Sequence, residues 1–195
     1  MRIGVFGGTF DPPHNGHLAV AEACLRELAL DEILFLPTNQ NPLKKRDRST
    51  PAKVRLQMLR RILKDKGRMA ISDMDITRGG KSYAVDTMEE LQVARPADYW
   101  FIMGTDAARM LPQWKNPERL LRLCRIAIVT RPTVAESEIL IRMPAEWKSH
   151  IDVVRMPAVD VSSSLIRDRF AAGREVSLLL PRSVEEFVRE NKLYV

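Results

Sequence analysis

Two short stretches carry residues suited to holding phosphate. Near the start the chain reads Gly7-Gly8-Thr9-Phe10-Asp11-Pro12-Pro13-His14-Asn15-Gly16-His17. The glycines let the backbone turn tightly and come close to a ligand, and the prolines stiffen the turn that follows. His14 and His17, three positions apart, face the same way if the second begins a helix, like donors converging on one anion. The N-terminus of such a helix adds free N–H groups and a partial positive charge. The plain alternative is a tight turn with one capping histidine. A metal site built from the two histidines and Asp11 is disfavoured, since no cysteine or further histidine lies nearby.

The second stretch is Val161-Ser162-Ser163-Ser164-Leu165-Ile166-Arg167. A serine at a helix start caps it, and consecutive hydroxyls beside free N–H groups form an anion nest. Arg167 lies about one turn inside and can reach the same anion with a bidentate fork. Alone, this is an ordinary capped helix. Two anion-seeking sites at opposite ends of one chain point instead to a polyphosphate. Other phosphate motifs are absent. No G-x-G-x-x-G follows the first apolar run, and Gly80-Lys81-Ser82 lacks the P-loop's first glycine, whose place Asp75 takes.

The elements that must position these stretches alternate from end to end. Strands are expected at Ile3–Phe6, Ile33–Leu36, Met69–Ile76, Tyr99–Met103, Ile126–Val129 and Ile151–Met156. Helices are expected over Leu18–Leu30, from Thr50-Pro51 to about Lys66, over Tyr83–Val93, from Asn116-Pro117, and over Ser162–Ala172. Ser183-Val-Glu-Glu186 reads as the capping box of a terminal helix. Residues Thr133–His150 have the weakest pattern and read as a surface excursion. Strands apolar throughout, alternating with helices, imply an α/β fold with a doubly wound parallel sheet and helices on both faces. In such sheets ligands bind beyond the carboxyl ends of the strands, at the switch point of strand order.

With 195 residues the chain is expected to form a single domain, 1–195, able to bury its own core. Its 45% hydrophobic and 29% charged residues exclude disordered, collagenous and coiled-coil classes. No apolar run approaches the roughly 18 residues of a membrane span, and Met1–Gly8 reads as a strand, so a cytoplasmic location is expected. Cys24 and Cys124 sit on apolar helical patterns and read as core. The net charge of +6 is local: residues 44–68 hold eleven Lys or Arg against two Asp. A solvated helix face, a polyanionic small ligand and nucleic acid are the readings of that band. Nucleic acid is the weakest, because no aromatic interleaves Lys44–Arg68 to stack bases.

Taken together, G-T-F-D-P-P-H-x-G-H and V-S-S-S-x-I-R resemble the (H/T)-x-G-H and I-S-S-T-x-I-R signatures of the nucleotidyltransferase α/β-phosphodiesterase superfamily. Further residues resemble its bacterial nicotinate-nucleotide adenylyltransferases: Asn41-Pro42-Leu43-Lys44, Arg78 with Ser82-Tyr83 and Asp86-Thr87, Gly104-Thr105-Asp106, Trp114, and Thr130-Arg131-Pro132. The chain departs from that pattern at Leu43, where the family has His, and at Ala84, where it has Thr. The resemblance implies a Rossmann-like nucleotidyltransferase fold and transfer of an adenylyl group from ATP to nicotinate mononucleotide, giving deamido-NAD and pyrophosphate. It implies small-molecule partners only, with no nucleic acid and no membrane, and leaves homo-oligomerisation open. Mg²⁺ is expected to arrive with ATP, held by phosphate and water rather than by a protein cage.

On this reading His17 meets the α-phosphate in the transition state and His14 belongs to the phosphate cradle. Gly8 and the main chain of Thr9 and Phe10 position both nucleotides. Lys44, Ser162, Ser163 and Arg167 grip the ATP phosphates, and Gly104 and Asp106 lie at the adenosine. Trp114 is the stacking platform for the pyridine ring, with Ser82, Tyr83, Thr87 and Arg131 around the mononucleotide. Trp100 and Trp147 read as packing and His150 as a surface residue. The competing readings are pantetheine-phosphate adenylyltransferase, which shares the first and last motifs, and a non-catalytic nucleotide sensor or RNA-binding module.

Overall fold

The four central strands bury both of their faces, which is why the sequence shows short continuous apolar runs rather than alternation there. The computed structural model describes residues 1–43, 49–130, 140–141, 143–157 and 159–195. In chain order, β1 (Arg2–Gly8), α1 (Asn15–Glu27), β2 (Glu32–Pro37), α2 (Ala52–Ile62), β3 (Met69–Ile71) and α3 (Met74–Arg78) form the first half. The second half holds α4 (Ala84–Ala94), β4 (Asp98–Gly104), α5 (Thr105–Arg109), α6 (Pro117–Leu123), β5 (Arg125–Thr130), β6 (Ile151–Arg155), α7 (Ser163–Ala171) and α8 (Arg182–Glu190). Single 3₁₀ turns occupy Leu111–Gln113 and Ala145–His150.

The six strands form one sheet in the order β3-β2-β1-β4-β5-β6, and each neighbouring pair is parallel. The chain starts in the middle, winds outward to β3, then crosses to β4 on the other side of β1. That reversal opens a crevice between the carboxyl ends of β1 and β4. Side chains of alternate parity separate the core into two layers. Phe6, Ile33, Phe35 and Ile102 pack against α1, α2, α7 and α8, while Val5, Leu34, Leu36 and Phe101 pack against α4 and α6. Cys24 and Cys124 are free thiols in this core, and Trp100 and Trp147 are buried, as expected. Among the described residues no helix is long and apolar enough to cross a membrane.

Several expected boundaries move, among them that of the first helix, which spans Asn15–Glu27 rather than Leu18–Leu30, and three others have a local reason. The third strand stops at Ile71 instead of running to Ile76, and α3 follows. Asp75 and Arg78 pair at 2.7 Å, a three-residue spacing that a helix brings together and a strand puts on opposite faces. Helix α2 begins one residue later than expected, with Pro51 rather than Thr50 as its N-cap, and it ends at Ile62. Thr50 is used elsewhere: its N–H donates to Asp11 and its carbonyl accepts from Arg55. Asp65, left-handed at φ 66°, stops any continuation toward Lys66. Helix α8 starts at Arg182 behind Pro181, so the capping box does not form; Glu186 pairs with Arg182 at 2.7 Å. Ser162 is the expected N-cap of α7, its Oγ accepting from the Leu165 N–H at 3.1 Å.

Candidate active site

A cavity of about 400 Å³ opens beyond the carboxyl ends of β1, β2 and β4. Its base is the backbone of Gly7, Gly8 and Gly104 with the side chains of Leu36, Phe101 and Met103. Tyr83 and Trp114 form its sides. Trp114 is half-buried and meets Phe101 edge to face, with centroids 5.7 Å apart and planes at 87°. Its indole N–H is buried and finds no acceptor among the described residues. Helix α4 starts at this wall, with Tyr83 as its extended N-cap, and presents first-turn N–H groups that no helical carbonyl can reach.

Behind the cavity lies a polar cluster that the sequence pattern did not reveal. Asp75, 2% exposed, accepts from the Thr87 hydroxyl at 2.6 Å and from Arg78 at 2.7 Å. Arg78 also donates to Thr87 at 2.9 Å and to Glu90 at 2.6 Å. Burial works against the Arg78 charge, but the Glu90 and Asp75 contacts outweigh it and raise its pKa. Thr87 therefore lines the cavity with its hydroxyl already engaged. Ser82 is engaged too: its Oγ accepts from the Asn39 N–H at 2.9 Å, fastening the loop after β2 to the start of α4.

The phosphate-type loop after β1 is held from three directions. Phe10 adopts a left-handed φ of 51° and is buried with its ring under Gly8, where an added Cβ would lie 2.9 Å from it. Arg55, 1% exposed, reaches up from α2 and donates to the carbonyls of Thr9 and Thr38, each at 2.6 Å, of Thr50 at 2.8 Å and of Asn39 at 3.4 Å. Asp11 is buried and accepts from the Thr50 N–H at 3.1 Å and the Tyr194 hydroxyl at 2.6 Å. Burial first, then the Asp11 contact, pushes the Tyr194 phenol upward. From α7, Ser163 Oγ donates to the Pro12 carbonyl at 2.9 Å. Arg167 donates to the Asp11 carbonyl at 2.7 Å and to Ser164 at 3.1 Å. The two sequence motifs thus meet on the carbonyls of Asp11 and Pro12, the Arg167 contact spanning 156 residues of chain.

His14 and His17 stack, with ring centroids 3.7 Å apart. The backbone N–H of His14 donates to His17 Nδ1 at 3.1 Å. A neutral imidazole that accepts at Nδ1 carries its proton on Nε2, so His17 is left with one N–H to donate. Gly16 permits this packing, for a Cβ there would stand 2.7 Å from Val161 and 3.0 Å from the His14 ring. Burial pushes His14 down to about 4, and burial together with the nearby His14 holds His17 well below 6.5. Both rings are neutral at pH 7.

The cavity brings together Gly8, Thr9, Ser82, Tyr83, Thr87, Gly104 and Trp114 of the expected site. His14 and His17 stack at the start of α1, while Ser163 and Arg167 reach the carbonyls of the preceding turn from α7, whose N-cap is Ser162. Asp106 stands fully exposed at the start of α5, 3.5 Å from Arg109. Lys44 and Arg131 lie outside the described residues. Sequence reasoning missed Arg55, Asp75 and Tyr194. Arg55 was hidden among the cations of the basic band, although its α2 register with Leu59 and Ile62 places it on the buried face. Among the described residues no group of three or more His, Cys, Asp or Glu could hold a metal.

Two outcomes are expected. Replacing Arg55 by Leu strands several buried carbonyls, and chemical unfolding should show a loss of about 3 kcal/mol or more. The unfolded chain binds a proton at His14 near pH 6.5 and the folded chain only near 4, so stability falls as pH drops through that window. Between pH 7 and 5 wild type should lose on the order of 2 kcal/mol more than His14→Asn; equal losses would contradict a neutral buried ring.

A cytidylyltransferase-like family model matches residues 5–169. The probable nicotinate-nucleotide adenylyltransferase of Shouchella clausii is 39% identical over 99% of this chain and 96% of its own length. Its counterpart in Dehalococcoides mccartyi is 38% identical over 100% of this chain and 97% of its own length. The nicotinic acid mononucleotide adenylyltransferase of Plasmodium falciparum, solved in complex with NaAD, shares the fold at 18% identity, with a TM-score of 0.81 over 99% of this chain and 97% of that one. With full-length identity at this level, the chain belongs to the cytidylyltransferase-like nucleotidyltransferases, in the branch of the nicotinate-nucleotide adenylyltransferases.

Proposed function

We propose that this enzyme transfers the adenylyl group of MgATP to the 5′-phosphate of nicotinate mononucleotide in one in-line step. The observation that carries this reading is the adjacency of an aromatic-walled cavity to a rigid loop where a neutral His17 keeps one N–H free. The full-length relatives support the same substrates.

The nucleophile needs no general base, because a phosphate monoester with a second pKa near 6 is largely dianionic at pH 7. Its oxygen forms a bond to the α-phosphorus while the bond to the bridging oxygen breaks, and pyrophosphate leaves with that electron pair. No covalent enzyme intermediate is required. The protein's task is to align two anions and to stabilise charge as it shifts. His17 Nε2–H donates to the α-phosphate, and His14 stacks behind it. The main chain of Gly8, Thr9 and Phe10 sets the approach of the two nucleotides.

Ser163 and Arg167 hold the Pro12 and Asp11 carbonyls and, with Lys44 and Ser162, meet the ATP phosphates. Gly104 and Asp106 serve the adenosine. Trp114 stacks on the pyridine ring, worth on the order of 1 kcal/mol beyond its buried area. Tyr83 and the N–H groups at the start of α4 suit the pyridine carboxylate, while Ser82 and Thr87 shape that wall, and the role given to Arg131 is to add charge for the mononucleotide. Mg²⁺ enters as part of the nucleotide substrate. We place the reaction in the cytoplasm.

Pyrophosphate release with MgATP should be fast with nicotinate mononucleotide and should fall by about two decades or more in His17→Ala. Turnover with phosphopantetheine alone would move the protein to the sister reaction. Absence of turnover with either would leave nucleotide binding without this transfer.

A further inference from the structure

Only two formally charged side chains line the cavity among the described residues, Asp75 and Lys115. The Asp75 charge is already met by Arg78 at 2.7 Å on the far side of the wall. Lys115 is different. It follows Trp114 directly, at the cavity mouth, and its Nζ lies 4.9 Å from the centre of the Tyr83 ring. The same Nζ contacts both carboxylate oxygens of Asp86, at 2.7 and 2.8 Å. The ammonium is thus held between the aromatic side of the cavity and the first turn of α4.

Resting on the substrates proposed above, we infer that Lys115 determines specificity for a ring carboxylate over a ring carboxamide. An ammonium has three N–H donors and no acceptor, and the Asp86 contacts occupy at most two of them. A carboxylate on a ring stacked at Trp114 receives a charge-assisted hydrogen bond, roughly twice as strong as a neutral one. A carboxamide offers one neutral oxygen, and its NH₂ end opposes a donor with a donor. Asp86 contributes in two ways. It fixes the long Lys115 side chain before the ligand arrives, and it cancels the charge at a distance, so that selection works by contact rather than by general attraction of anions.

The plain alternative is a partly exposed ion pair that merely ties the Trp114 turn to α4. The two accounts separate when kcat/KM is measured with nicotinate mononucleotide and with nicotinamide mononucleotide. Wild-type turnover of the acid tests the underlying reading by itself; its absence would overturn both. Given that turnover, Lys115→Met should lower kcat/KM for the acid by roughly 10- to 100-fold and leave the amide within about threefold. Lys115→Arg should restore most of the preference. Asp86→Asn, which unmasks the ammonium, should keep or widen the acid-to-amide ratio. Equal loss on both substrates in Lys115→Met, or an unchanged ratio, would overturn the inference and leave Lys115 a structural tie.

Discussion

The whole site depends on one buried guanidinium. Arg55 lies at 1% exposure under the carboxyl ends of β1 and β2, and gathers carbonyls from Thr9, Thr38, Asn39 and Thr50. Carbonyls turned inward at the ends of parallel strands have no ladder partner, and leaving them unpaired away from water is costly. A planar fork with five donors meets several at once, which an ammonium on a flexible stem does less well. The loop after β1, the loop after β2 and the entry to α2 consequently behave as one rigid body. The in-line transfer proposed above needs such a body, since misplacement of a group by about 1 Å costs roughly two orders of magnitude in rate.

Rigidity is reinforced from both ends of the chain. Asp11 takes the Tyr194 hydroxyl on one oxygen and the Thr50 N–H on the other, while its carbonyl receives Arg167. Within this frame the two histidines are stacked, desolvated and neutral. A neutral donor aimed by a backbone hydrogen bond loses little when the site is empty of charge, and strengthens as negative charge develops beside it in a low-dielectric setting. The energetic cost sits in the acid limb of stability, where unfolding lets these rings protonate.

On the far side of the switch point the design is aromatic rather than cationic. Trp114 and Tyr83 flank a cavity behind which Asp75, Thr87 and Arg78 hydrogen-bond to one another. A wall of internally paired polar groups keeps its shape without competing for the ligand.

Much of this was legible in the residues. Buried parallel strands announce themselves as short apolar runs, the glycines and prolines after β1 mark a stiff turn, and Ser162 followed by Arg167 marks a capped helix. These are short-range properties, set by backbone sterics and by side-chain periodicity, so the chain alone determines them. It could not show that Ser163 and Arg167 fasten the Pro12 and Asp11 carbonyls, that Tyr194 reaches Asp11 across 183 residues, or that one cation of a basic band is the buried one. Nor could it show that residues after Ile71 turn into α3 to pair Asp75 with Arg78 and Thr87. Buried polar groups choose partners by proximity in space, and that proximity exists only once the sheet order has brought distant loops to the same edge.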